Sequence, residues 1–149
     1  MRFSLSRLPQ RQLKILFAFL ALAFLTNFTW EIFHGFLYRG ITISAAVYVS
    51  VITRASLIDM VWLGILFVGF AIYFRNFNWF RNLTKQKYLA ILLIPLIVAI
   101  LIEIKGVYIF HDWSYTKMMP KLWGLGLSPL LQLPLTMFFS TLFIANMKK

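Results

Sequence analysis

Four side chains of this 149-residue chain are carboxylic acids: Glu31, Asp59, Glu103 and Asp112. All four lie inside or at the edges of apolar runs, whereas the fifteen Lys and Arg residues flank those runs. A carboxyl group near hydrocarbon costs at least about 2–3 kcal/mol unless it is paired, hydrogen-bonded or turned to a cavity. Acids kept at such a cost mark where chemistry or binding sits. In the first run Asn27, Glu31 and His34 recur at spacings of four and three, which places them on one helical face, with Thr26 and Trp30 on a neighbouring stripe. Glu31 and His34 can form a hydrogen-bonded acid–base pair. Glu31, set between Trp30 and Phe33, is the proton-donor candidate, with His34 placed one turn on to reload it. Glu103, nearer Lys105 and the following loop, is the candidate for stabilising developing positive charge. The catalytic set is therefore Glu31, His34 and Glu103. The binding set is Asn27, Trp30, Asp59, Asp112, Trp113, Tyr115 and Gln132.

Each of these residues also has a plainer reading. Glu31 and Glu103 can be interhelical hydrogen-bonding groups. Asp59, at the start of its apolar run, can be a helix cap. Trp113 and Tyr115 can be interfacial anchors, and Lys105 can snorkel to the interface. Gln132, inside an otherwise apolar run, needs a protein partner, and Glu31 or Glu103 is at a suitable depth. With only two His residues, on different segments, and no Cys, no metal or cofactor is expected. There is no phosphate-cradling Gly-rich loop and no Gly-x-Ser-x-Gly nucleophile motif.

Composition defines what must position these groups. Hydrophobic residues make up 61% of the chain and charged residues only 13%, against about a quarter charged in soluble domains. The expectation is an all-α polytopic membrane protein, one membrane domain over 1–149, with helices at about Leu13–Leu37, Ser56–Phe74, Tyr88–Phe110 and Leu122–Met147. A net charge of +11 on the flanks of such helices points to lipid headgroups, not nucleic acid. Arg2, Arg7, Arg11 and Lys14 precede the first run like a secretory leader, but no small-residue cleavage site follows, so a retained helix is expected. Pro95 is expected to kink the third helix, and Pro129 and Pro134 the fourth. Gly124, Gly126 and Ser128 suggest an irregular lead-in to that fourth helix. Between the first two helices, Ile41 to Val51 alternates β-branched with smaller or polar residues. This favours a short extended segment, with an interfacial helix as the alternative.

Basic residues set the orientation. Ten lie on the side of the N-terminal leader, the 75–87 segment and the C-terminal tail, against five on the other side. Both termini are therefore expected in the cytoplasm, and the chain in a bacterial cytoplasmic membrane. Glu31 lies 17 residues beyond Lys14, and Glu103 lies 16 beyond Lys87, about 24–26 Å of helix in each case. Asp59 opens the second run and Asp112 follows the third, so all four acids are expected in the outer third of the bundle. Glu31, His34, Glu103 and Gln132 should then line one cavity open outward or sideways.

From Trp79 to Phe143 the chain resembles the integral-membrane lycopene cyclases. The features are the basic stretch Arg81–Lys87, Pro95, Glu103, Gly106, the aromatic pair Trp113 and Tyr115, and Gly126-Leu-Ser-Pro129. Asn27-Phe-Thr-Trp30-Glu31 resembles the Asn-x-x-Trp-Glu motif of fungal membrane-bound terpene cyclases, in which the Glu is implicated in protonating the substrate. Where the lycopene cyclases carry Pro-x-Glu-Glu, this chain has Pro129-Leu-Leu-Gln132, and an amide cannot protonate an alkene. The resemblance implies isoprenoid or carotenoid chemistry of the isomerase type, with the acid role passing to Glu31 and Glu103.

Three functions compete. The first is an intramembrane enzyme protonating an isoprenoid or lipid substrate, with aromatic rings shielding a cationic intermediate. The second is a non-catalytic subunit, in a homo- or hetero-oligomer, whose acids bond between helices. The third is an oligomeric proton-coupled carrier. Membrane lipids, and in the first case a hydrophobic small molecule, are the expected partners. The orientation is directly testable, because a chain without cysteine gives clean single-cysteine variants. Cysteines at 82–84 should react only from the cytoplasmic face and cysteines at 45–50 only from the outer face. Outer-face labelling at 82–84 would overturn the topology.

Overall fold

The computed structural model describes residues 10–40 and 44–147. Four helices, α1 (Gln10–His34), α2 (Ala45–Tyr73), α3 (Lys85–Ile104) and α4 (Leu127–Asn146), are each long and apolar enough to cross a membrane. In an apolar solvent only internally hydrogen-bonded backbone is tolerated, which is why these runs are helical. α1 packs against α2 and α4, and α4 packs against α3. The α1–α2 pair is antiparallel: Leu20 meets Gly64 near one end, and the Tyr48 hydroxyl donates to the Ile32 carbonyl (2.6 Å) near the other.

The first loop departs from expectation. Residues 45–51 are helical, because α2 begins at Ala45 instead of near Ser56. Ser44 caps it, its side chain accepting from the Val47 N–H (3.3 Å), and successive helical bonds satisfy the backbone that an isolated strand would leave unpaired. β-branched side chains alternate with period two whatever the backbone does, and nearly all of residues 44–51 are exposed, so no buried face selects a strand. Residues 41–43 of the expected extended segment lie outside the described residues, as do Arg2, Arg7, Lys148 and Lys149. The extended pairing that does occur is elsewhere. Tyr38 and Tyr115 form an antiparallel bridge, with Arg39 N–H donating to the Ser114 carbonyl (2.9 Å) and Thr116 N–H to the Leu37 carbonyl (2.8 Å). This bridge ties the chain leaving α1 to the long segment before α4.

That segment is shaped by two local features. A π-helical turn, Lys105–Ile109, extends α3. Gly106, which has no Cβ, lets the Trp113 ring lie directly on its backbone, where any larger residue would collide with the indole. The irregular lead-in to α4 is a hairpin, β1 (Lys121–Leu122) and β2 (Leu125–Gly126), turning through Trp123 and Gly124 at φ of 50° and 84°. α4 starts at Leu127, so Pro129 sits in the first turn, where a missing N–H breaks no bond, and the kink expected there does not arise. Pro95 and Pro134 lie inside their helices.

The interior divides by chemistry. Around the 74–84 turn, Phe19, Phe67, Phe70, Trp79 and Phe80 form an aromatic core, with Phe19 stacked on Phe67 at 4.5 Å. Packing of this kind holds helices together where water supplies no driving force between them. Toward the other end the buried side chains become polar: Asn27, Glu31, His34, Ser56, Glu103, Gln132 and Thr136.

Candidate functional site

Gln132 is the node of the polar end. Its side-chain nitrogen lies 2.8 Å from Asp59 Oδ2, 2.9 Å from Glu31 Oε1 and 3.2 Å from Asn27 Oδ1. The amide thus joins residues from α1 and α2 to α4, inside a site where Gln132 is only 3% exposed. Asn27 is fixed in turn by donating to the Ala23 carbonyl (2.7 Å). A primary amide has two hydrogens, so its three acceptors must share them. Two carboxyl groups, from α1 and α2, thus meet at one amide nitrogen of α4.

From Glu31 the network turns to His34. Its Nε2 lies 3.0 Å from Glu31 Oε2, without the alignment of a hydrogen bond. The other ring nitrogen, Nδ1, lies 2.8 Å from Ser128 Oγ, which also accepts from the Trp30 indole N–H (3.2 Å). Ser128 Oγ can donate its proton to His34 Nδ1 or accept a second bond from Nδ1–H, according to the imidazole tautomer. Trp30, His34 and Ser128 form part of the wall of a groove of about 630 Å³ between α1 and α4, whose other lining includes Leu25, Phe33 and Phe139.

Glu103 belongs to an adjoining cluster. The Tyr115 hydroxyl donates to Glu103 Oε2, and the Trp113 indole lies beside the same carboxyl group. Tyr38 bridges the two clusters, its ring 5.3 Å from that of His34 and 5.7 Å from that of Tyr115. Burial first, and the neighbouring Glu103 second, push the Tyr38 phenol well above its ordinary range. Burial and the hydrogen bond to Glu103 do the same to Tyr115. Both phenols therefore stay neutral O–H donors.

Several expectations are revised by this geometry. Asn27, Glu31, His34, Asp59 and Gln132 meet in one network, with Trp30 joined through Ser128. Glu103, Trp113 and Tyr115 meet beside it. Asp59 is no helix cap: it sits well inside α2, because that helix begins fourteen residues earlier, at Ala45. The partners of Gln132 are Glu31, Asp59 and Asn27, not Glu103. Asp112 is exposed and joins neither cluster; its backbone N–H bonds the Gly106 carbonyl (2.8 Å). The expected shared cavity also changes character, since of Glu31, His34, Glu103 and Gln132 only His34 reaches the groove wall. Two participants were missed. Tyr38 continues the 27–31–34 stripe by four more residues, a signal that could have found it. Ser128 carries no such signal: the sequence places it in an irregular lead-in and in the Gly126-Leu-Ser-Pro129 stretch, without a partner. Among the described residues, no three His, Asp or Glu side chains surround a common point as metal ligands would.

Compared with known protein families, curated proteins and solved structures, the chain matches none. What it does must be argued from the site itself.

The dependence of the network on one amide is testable. Gln132→Leu keeps the size of the side chain but strands Glu31, Asp59 and Asn27 without their common donor. It should lower the unfolding free energy in mixed micelles by about 1–3 kcal/mol, the usual cost of leaving a buried polar group unbonded. A loss below about 0.5 kcal/mol would mean that these acceptors are satisfied elsewhere.

Proposed function

We propose that this chain is an intramembrane enzyme that protonates an isoprenoid or related lipid chain lying in the α1–α4 groove. The observation that carries the reading is the position of His34, with one ring edge on Glu31 and the other at the groove wall beside Ser128. His34 then joins Glu31, and through Gln132 the half-buried Asp59, to an apolar groove of the size that small molecules occupy, about 300–1,000 Å³. The Ser128 hydroxyl gives its proton to a substrate double bond, leaving a carbocation, while Nδ1–H of His34 restores the hydroxyl and Glu31 passes its own proton to Nε2. Trp30, Phe33 and Phe139 offer aromatic ring faces to that charge. Loss of a proton from a neighbouring carbon back to the His34–Glu31 pair gives an isomer or cyclised product of unchanged mass. In this scheme His34 stands nearer the substrate than Glu31, which sets its protonation from behind, a reversal of the roles expected from spacing alone. Glu103, which accepts from Tyr115, anchors the adjoining cluster that Tyr38 connects to His34. The Asn-x-x-Trp-Glu resemblance points the same way. On the asymmetry of basic residues, the site lies toward the outer face and both termini lie in the cytoplasm.

A second reading has an observation of its own. Both oxygens of Glu31 are engaged, by Gln132 and by His34, and Glu31 does not line the groove. A non-catalytic subunit held together by these bonds would look the same at this site.

The two readings part under substitution. Membranes containing the chain and linear isoprenoids should accumulate a product of identical mass and different retention, followed by chromatography with mass detection. Glu31→Gln and His34→Phe should each reduce it at least a hundredfold, in line with the loss of a general acid, while the folded yield stays within about twofold of the parent. Full product formation by Glu31→Gln, or collapse of both variants into unfolded protein, would favour the subunit reading.

A further inference from the structure

Most helical Ser and Thr residues in this chain satisfy their hydroxyls locally. Thr26, Thr29, Thr53, Ser56 and Thr136 each donate to the carbonyl four residues earlier, at 2.7–2.8 Å. This is the usual solution in apolar surroundings. Ser140 and Thr141 break the pattern. They are 1% and 0% exposed, and neither hydroxyl has a hydrogen-bond partner among the described residues. The indole nitrogen of Trp79 is likewise buried and without one, and the 79–81 turn that carries it packs on α4. Three orphaned polar groups thus lie on two elements in contact, within an otherwise aromatic core. Unbonded groups at this depth each cost about 1–3 kcal/mol, so they call for a partner.

Their register on α4 gives the partner a role. Gln132, Thr136 and Ser140 are spaced by four and share one face of the helix, with successive side chains about 6 Å apart along the axis. All three are buried, and Asn27 of α1 lies against the first of them. An axial rise of about 6 Å from Thr136 to Ser140 leaves no direct bond between their hydroxyls and suits one water bonded to both.

We propose that Trp79, Ser140 and Thr141 frame an internal water site. That site is the entry of a hydrated seam along Ser140, Thr136 and Gln132, through which protons reach the Glu31–Asp59 pair from the end of the bundle bearing the 74–84 turn. The seam stands on the orphaned groups and their register. Its use in turnover rests on the enzyme reading above, since a site that gives up protons in a lipid-facing groove must be resupplied. No bond to carbon forms or breaks here. Each water accepts one proton from the side of the turn and passes one toward Gln132 and the carboxyl pair, so charge is conserved at every step.

The test uses the full chain in lipid bilayers and needs no substrate. Water-edited solid-state NMR should show polarisation passing from water to the Ser140 and Thr141 side chains at least threefold more strongly than to their buried neighbours Met137 and Ile144. The Gln132 side-chain amide should exchange with heavy water, and exchange should slow at least tenfold in Ser140→Ala/Thr141→Val. Ser140 and Thr141 as dry as Met137 would overturn the proposal, because their hydroxyls would then be bonded back to their own helix. Wet hydroxyls with unchanged Gln132 exchange in the double variant would also overturn it, since protons would be entering from the loop end. Failure of the isoprenoid assay leaves both readouts intact, so the seam and the enzyme reading fail separately.

Discussion

An amide nitrogen with two hydrogens and three oxygens within 3.2 Å is the constraint on which the rest of this molecule depends. Gln132 can reach Asn27, Glu31 and Asp59 together only if α1, α2 and α4 meet at one depth and one rotation. A shift of a single residue along any of these helices would turn its polar group about 100° away from the others. In an apolar solvent that loss is not made good by water, so the network selects helix register as well as binding helices together. The aromatic core around Phe67 and Trp79 can tolerate small slides that the polar end cannot, because apolar contacts have no required partner.

The segments joining the helices serve this arrangement. Tyr38 and Tyr115 are brought together by a backbone bridge, not by helix packing, and they connect His34 on one side to Glu103 on the other. Gly106 is needed for the same reason, since a side chain there would collide with the Trp113 indole, which lies beside Glu103. Ser128 does two tasks at once, accepting from Trp30 and engaging His34, and can do so because the hairpin before α4 delivers it at the first turn of the helix. The long loop is thus part of the site rather than a connection past it.

Much of this was legible from residue types. The four apolar runs, the stripe of Asn27, Glu31 and His34, and the need of Gln132 for a carboxyl partner all follow from helical spacing and from the cost of polar groups in hydrocarbon. Pairing the depths of Glu31 and Glu103 located the polar end. What spacing could not show was which polar groups share a partner. Glu103 is at the right depth for Gln132 but faces Tyr115, because the choice depends on how α3 and α4 are rotated. Over 45–51 the helical alternative holds and the extended one does not, because alternation reports strands only where one face is buried, and these side chains are mostly exposed. Ser128 is hidden for a related reason: its role comes from the hairpin that delivers it to the first turn of α4, and loop geometry carries no period.

The most direct test of this account is the pair of distances it assigns to one nitrogen. With Gln132 labelled at its side-chain nitrogen and the Glu31 and Asp59 carboxyl carbons labelled in turn, dipolar-recoupling solid-state NMR in bilayers measures each separation. Hydrogen bonds to both carboxyl groups predict two values of about 3.5–4 Å. If either carbon lies beyond about 6 Å, Gln132 does not hold α1 and α2 together, and the polar end is not organised as described.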